Sequence, residues 1–335
     1  MPSPGELDLG DPVRPTAIPT SERPVSTGLP PVIGDPGSQE QLESLLLSDS
    51  DGRADTNLDG GRIGILDVRA ASVRGRSHRF GLNAVRGRAR QDEYCLSAST
   101  DGRWLVAAVA AGVSQSDKSH VAATIAARRG CQLVVDALNN SVQPNALAWT
   151  EEIAPRISGY IVHEAAKMQL VELGVEDKDD ATLARDVADS MATTAIFAIV
   201  DTVPSDAGEV AFVVAVLAGD SAAWKLAARE WRPLTGVKNA DTEIASMAVR
   251  PLPLASKCLV IDGTLQSGEA LILMTDGLGD PLGSGQGDVG AFFATQWQTP
   301  PDAHVFAAQL DFFRRSFDDD RTAVAIWLAD TPRDE

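Results

Sequence analysis

Two spacings of apolar residues recur along this chain of 335 residues. The first is a short run rich in Val, Ile, Ala and Leu, closed off by Gly, Asp or Ser, which predicts strands. "RIGILDVRAASV" opens the series, and "EYCLSAST", the turn "DGR" and "WLVAAVA" read as a hairpin. "ATTAIFAIVD", "EVAFVVAVLAG", "AAWKLAA", "EALILMTDG" and "RTAVAIWLA" continue it. The second spacing is helical. Over 117–138 it carries Val121, Ala122, Ile125, Cys131, Val134, Val135 and Leu138, and a second helix is expected over roughly 147–173, interrupted or started near Pro155. The acidic "GVEDKDDAT" reads as a loop. Helical spacing returns at 287–297 and 301–315 before the last strand. Consecutive helices inside a strand-rich chain do not suit a parallel βαβ array. They predict an α+β fold, with helices stacked on two antiparallel sheets.

The first sixty or so residues follow neither spacing. They hold nine of the nineteen prolines and no aromatic residue, the first being Phe80. Such a stretch buries too little apolar surface to offset ordering entropy, so residues 1–61 are expected to form a disordered leader before a domain over 62–330. Within it, "SQEQLESLLL" is compatible with a short amphipathic helix at 39–47, through Leu42, Leu45 and Leu46.

Composition narrows the function. A net charge of -18 argues against nucleic acid or an anionic membrane as partner, because phosphates select Lys/Arg-rich surfaces. The three cysteines, Cys95, Cys131 and Cys258, are far apart and have no CxxC spacing. Neither a disulfide framework nor a thiolate zinc site is expected, and reduced thiols fit a cytoplasmic protein. The N-terminus lacks an apolar signal-peptide core, and no apolar run approaches the length of a membrane span.

The chemistry gathers at strand ends. Asp92 precedes a strand, Asp220 lies in a turn between two, and Asp276 closes an apolar run with Asp280 one turn on. Asp318, Asp319 and Asp320 precede the last strand. Carboxylates from several segments suit hard oxygen-ligated cations such as Mg²⁺ or Mn²⁺. The histidines His78, His120, His163 and His304 have no ligand spacing; His163 reads as a helix-surface or core residue. No nucleophile elbow, Walker loop or dinucleotide fingerprint is present.

In their order, "RGRARQDEY", "MATT", "GDSAAWKL" with "REWRPLT", "LILMTDGLGD" and "DDRTAVAIWL" resemble the motif series of the protein phosphatase 2C family, its bacterial branch most. These are metal-dependent Ser/Thr phosphatases. The resemblance implies a four-layer α-β-β-α sandwich and two divalent ions, Mg²⁺ or Mn²⁺, that activate a bridging water toward the phosphorus. It offers Asp92, Asp276, Asp319 and the carbonyl of Gly112 as ligands, and Asp280 as ligand to a third, weaker ion. Gln91 stands where some members carry Glu, and Asp320 matches a family Asn. The phosphate-binding arginine is expected at Gly87, which leaves the neighbouring Arg86, Arg88 and Arg90; Arg86 is favoured. Asp220 and Ser221 read as structural, and 236–256 as the flap beside the site. The substrate implied is a phosphoprotein, with a cognate Ser/Thr kinase or its target as partner.

One position departs from the pattern. The family's metal-bridging Asp-Gly falls where this chain reads "VAAVAAGVS", with Ala111 in place of the Asp. Without that carboxylate, repulsion between two close cations, on the order of several kcal/mol, is uncompensated. The chain as written is therefore expected to be inactive or nearly so. The intact acids elsewhere favour an introduced substitution. The alternatives are a natural pseudophosphatase that binds phosphoproteins or acts as a scaffold, and a different metal-dependent phosphoester hydrolase.

Overall fold

Alternation along one strand shows how the core is divided. In β4 (Trp104–Ala110), Val106, Ala108 and Ala110 pack into one apolar cluster, while Leu105, Ala107 and Val109 pack into another. Successive side chains of a strand point to opposite faces, so both faces of β4 are covered. That double burial is why its sequence reads as a continuous apolar run.

The structure, a computed structural model, describes residues 30–35, 53–79, 87–171, 179–236, 250–255 and 257–329. Its strands form two antiparallel sheets. One contains β3 (Glu93–Ala98), β4, β5 (Ala195–Asp201), β6 (Val210–Ala218) and β9 (Leu259–Leu265), in that order. The other runs β1 (Thr56–Ile63), β2 (Leu66–Val73), β11 (Arg321–Leu328), β10 (Glu269–Met274), β7 (Ala222–Ala227), β8 (Glu230–Pro233).

Three apolar clusters separate four layers. Helices α2 (Ser119–Asn139) and α4 (Ala154–Lys167) cover the outer face of the five-stranded sheet through Ala123, Val134, Ile157 and Ile161. Helices α6 (Asp276–Leu282), α7 (Asp288–Gln296) and α8 (Ala303–Leu310) cover the six-stranded sheet through Leu278, Phe293 and Phe306. The third cluster, with Leu66, Val214, Leu271 and Ile326, lies between the sheets. This is the α-β-β-α sandwich.

The structure revises several boundaries. β1 begins at Thr56, inside the stretch expected to be leader, and Pro30–Asp35 is also described, with Ile33 buried and Val32 bridged to Phe313. β1 is mostly exposed, so its sequence carries no apolar alternation. Pairing of every β1 residue with β2 defines it instead. "RIGILDVRAASV" is accordingly the end of β1, a turn at Gly64 and Ile65, and the whole of β2, not one strand. "DATLARDVADS", which follows the acidic loop, is a helix, α5 (Asp180–Ser190), capped where the Thr182 N–H donates to Asp179 at 2.8 Å. The expected helix at 147–173 is α3 (Ala146–Ala148), a π-turn over Trp149–Ile153, and α4. The 39–47 helix and most of the expected flap, 237–249 and 256, lie outside the described residues.

Candidate metal centre

Extending the inter-sheet alternation one step past the apolar cluster reaches a polar layer. Following Val68 and Ala70 on β2 comes Ser72; preceding Tyr94 on β3 comes Asp92; following Val109 on β4 comes Ala111. On β10 and β11 the same step reaches Thr275, Thr322 and Asp320. Hydrogen bonds stitch these ends together. The Ser72 and Thr322 hydroxyls lie 2.6 Å apart, and the Thr322 N–H donates to Thr275 Oγ1 at 3.1 Å. At Ala111, the N–H donates to Thr194 Oγ1 at 2.9 Å, and the carbonyl accepts from the Thr193 hydroxyl at 2.9 Å and the Thr194 N–H at 2.8 Å. Thr194 in turn meets Ser221 Oγ at 2.7 Å. The backbone at Ala111 is thus pinned on both sides.

The acids occupy the same end. The register pairs Glu93 with Ala110, so the next step outward sets Asp92 beside Ala111. Asp92 is 3% exposed, and its Oδ2 has no hydrogen-bond partner among the described residues. Burial, and then the carboxylates of Asp320, Asp276 and Asp319, hold its acid well above the usual carboxylate range. Asp319 is also raised, by burial and by Asp320. Four carboxylates from both sheets therefore converge.

Asp320 differs from the other three. It is 2% exposed and accepts from the Gly75 N–H at 2.6 Å, from the Gln91 N–H, and from His78 Nδ1 at 2.9 Å. Burial works against its charge, but these donors outweigh it and keep Asp320 ionised below the ordinary value. For His78 burial again opposes the charged form, yet the hydrogen bond and charge of Asp320 raise its titration. The Asp319–Asp320 backbone is approached closely by two glycines. A Cβ at Gly277 would lie 1.8 Å from the Asp320 carbonyl, and one at Gly75 would lie 2.2 Å from the Asp319 carbonyl carbon. Only glycine fits there.

Of the expected site residues, Asp92, Asp276 and Asp319 are brought together. Asp276 opens α6, with Oδ1 accepting from the Gly277 N–H at 2.9 Å. Gly112 adjoins the cluster: a Cβ there would meet Ser119 Oγ at 2.7 Å and Gln91 Cβ at 2.9 Å. Asp280 stands one turn after Asp276 on the exposed side of α6. Arg86 lies outside the described residues, whereas Arg88 is exposed and donates to the Ser114 carbonyl at 2.9 Å. Arg90 is buried and donates to the Asp92 carbonyl at 2.5 Å, so it holds the backbone. His163 is exposed on α4.

Sequence reasoning did not single out Arg53, whose guanidinium donates to the Asp92 carbonyl at 2.6 Å and to Glu93 Oε2 at 3.2 Å. It also set aside His78, whose partner Asp320 is 242 residues away. A lone histidine in "RSHR" carries no local signal for such a contact.

As chemistry, the layer is an unbalanced anionic pocket. A buried carboxylate oxygen without a donor is costly unless a proton or a cation meets it. The donor set, all carboxylate and carbonyl apart from His78, fits a divalent metal. Comparison with known proteins settles the family. A family model described as protein phosphatase 2C matches residues 74–313. The chain belongs to the protein phosphatase 2C family.

Among solved structures, the chain is similar to RsbX in complex with magnesium, at 12% identity and a TM-score of 0.46 over 82% of this chain and 100% of that one. It is also similar to the catalytic domain of the serine threonine protein phosphatase PstP with 2 manganese ions, at 16% identity and 0.46 over 82% and 100%. The S. agalactiae serine/threonine phosphatase gives 15% identity and 0.44 over 78% and 99%. No curated protein matches the chain. Among the described residues, no helix is long and apolar enough to cross a membrane.

Proposed function

We propose that the chain carries the site of a metal-dependent phosphoprotein (Ser/Thr) phosphatase whose bridging carboxylate is replaced by Ala111, so that it turns over little or no substrate as written. The observation that carries this reading is the position of Ala111. Strand alternation puts it in the inter-sheet polar layer, one register step from Asp92, in a backbone pinned by Thr193 and Thr194. On the family pattern an acid belongs at this position, and here it is a methyl group.

In this reading Asp92, Asp276, Asp319 and the Gly112 carbonyl would hold Mg²⁺ or Mn²⁺, and Asp280 would serve a third, weaker site. When bound, such ions would supply positive charge for the phosphoryl oxygens and lower the pKa of a water. The chain's own residues orient the rest. Arg53 and Arg90 fix the Asp92 backbone, and Asp320 fixes the Gly75 and Gln91 backbones. Phosphate binding falls to Arg86, with exposed Arg88 as the neighbouring guanidinium. The substrate is a phosphoprotein, in the manner of the family, in a cytoplasmic signalling setting with a cognate Ser/Thr kinase or its target. Asp92, Asp276 and Asp319 are retained and interact with one another, with Gln91 the other departure from the pattern, which supports an introduced substitution at Ala111 over gradual natural loss.

Two divalent ions about 4 Å apart at an effective dielectric near 20 repel by on the order of 10 kcal/mol. One carboxylate between them is the cheapest compensation. The prediction is a difference in stoichiometry. Equilibrium dialysis against Mn²⁺ should find one tight ion per chain for the protein as written and two for Ala111→Asp. Equal stoichiometry in the two proteins would remove Ala111 from the metal centre.

A further inference from the structure

The short helix α1 (Arg76–Arg79) carries His78 into the acidic layer. The ring is 3% exposed. Its Nδ1 lies 2.9 Å from Asp320 Oδ1, and its Nε2 faces Asp319 Oδ1 at 3.9 Å. Asp320 is itself fixed by the Gly75 and Gln91 amides, so it sets both the position and the tilt of the imidazole. A carboxylate that holds one ring nitrogen leaves the other to act as ligand, the arrangement behind metal-bound imidazoles.

The second gap has a telling length. At 3.9 Å, His78 Nε2 and Asp319 Oδ1 are too far apart for a hydrogen bond. Two metal–ligand bonds of about 2.1 Å each span up to about 4.2 Å, so the gap is of the length that one shared ion would bridge. One ligand atom from each of His78, Asp319 and Asp320 lies within 4.8 Å of the others. Independently, the buried Asp92 Oδ2 in the same layer has no hydrogen-bond partner among the described residues.

We propose that His78 Nε2 is a metal ligand beside Asp319, and that it gives this chain one site that prefers a borderline-soft ion such as Zn²⁺ to Mg²⁺. The inference rests on the reading that the carboxylates hold cations, and adds an imidazole to them. Imidazole nitrogen suits zinc and its neighbours, whereas Mg²⁺ demands oxygen and keeps its waters. His78 is carried by α1 and not by the strand that leads to Ala111, so this site draws its ligands without the bridging position.

The test uses the full chain as written, labelled with ¹⁵N-histidine and titrated with Zn²⁺ and, separately, Mg²⁺. Long-range ¹H–¹⁵N spectra resolve the four imidazoles. Saturation with Zn²⁺ should shift Nε2 of a single ring, and that signal should be the one absent in His78→Gln. The variant should bind Zn²⁺ at least about tenfold more weakly, the scale of losing a metal-site ligand or its support, with Mg²⁺ affinity changed less than about twofold. Should His78→Gln fail to fold, a protein with His120→Gln, His163→Gln and His304→Gln keeps only the ring in question and gives the same reading. If Zn²⁺ binds and no imidazole nitrogen moves, His78 is only an ion-pair partner of the aspartates; the proposal falls while the carboxylate reading stands. If neither ion binds, both fall together.

Discussion

Ala111→Asp is expected to raise Mn²⁺-dependent hydrolysis of an aryl phosphate by at least about a thousandfold over the protein as written. The effect is large because one carboxylate changes several things in the same place. In the proposed site it would offset repulsion between two bound dications and complete the charge that would face the phosphoryl oxygens. Loss of a single preorganised charge-stabilising group in an active site typically costs a hundred- to a thousandfold, and on the proposed reading a metal site would go with it. The neighbourhood already accommodates the change. Ala111 is 6% exposed, yet its backbone groups are fully engaged by Thr193 and Thr194, so the new side chain adds to the polar layer without competing for those bonds. Without metal the variant should be less stable than the parent, since it adds a charge beside Asp92. A phosphothreonine peptide should respond in parallel with the aryl phosphate. A restored protein that stays inert across a range of Mn²⁺ concentrations would favour the scaffold reading.

Asp320→Ala should destabilise the fold by about 3–5 kcal/mol, the range for stripping one partner from a buried ion pair. Two effects compete. Removing Asp320 relieves repulsion on Asp92, which is stabilising. It also orphans the Gly75 and Gln91 amides and leaves the His78 ring buried without its partner. Each unsatisfied buried donor costs about 1–3 kcal/mol, so the loss outweighs the relief. In thermal unfolding this corresponds to a fall of roughly 10 °C for a domain of this size. A drop of under about 2 °C would mean that Asp320 is a tolerated neighbour and not the anchor of the layer.

The strands were the most legible part of the fold, because both faces of β4, β5 and β10 are covered and their sequences are near-continuous apolar runs, broken only by the terminal Asp201 and Glu269. Elements that lack such a face were hidden. β1 is exposed and defined by pairing with β2. β8 and β9 are edge strands of their sheets, and β9 is only partly buried. In α5 the only large aliphatic side chains are Leu183 and Val187, too few to outline a helical face in so acidic a segment. In the site, the acids could be read because each sits at the end of an apolar run. Gly112 could be placed only through the family resemblance, although its close approach to Ser119 and Gln91 explains the residue. What could not be read were groups whose partners are distant in the chain. His78 meets Asp320 across 242 positions, and Arg53 reaches Asp92 from outside the stretch that matches the family.

The position of Ala111 is tested most directly by anomalous diffraction from Mn²⁺-soaked crystals of Ala111→Asp and of the protein as written. The restored protein should show two manganese peaks sharing the introduced carboxylate, with Asp92, Asp276, Asp319 and the Gly112 carbonyl around them, and the protein as written should show at most one peak near Asp319. Identical peaks in both crystals, or an introduced carboxylate turned away from the metals, would contradict the account.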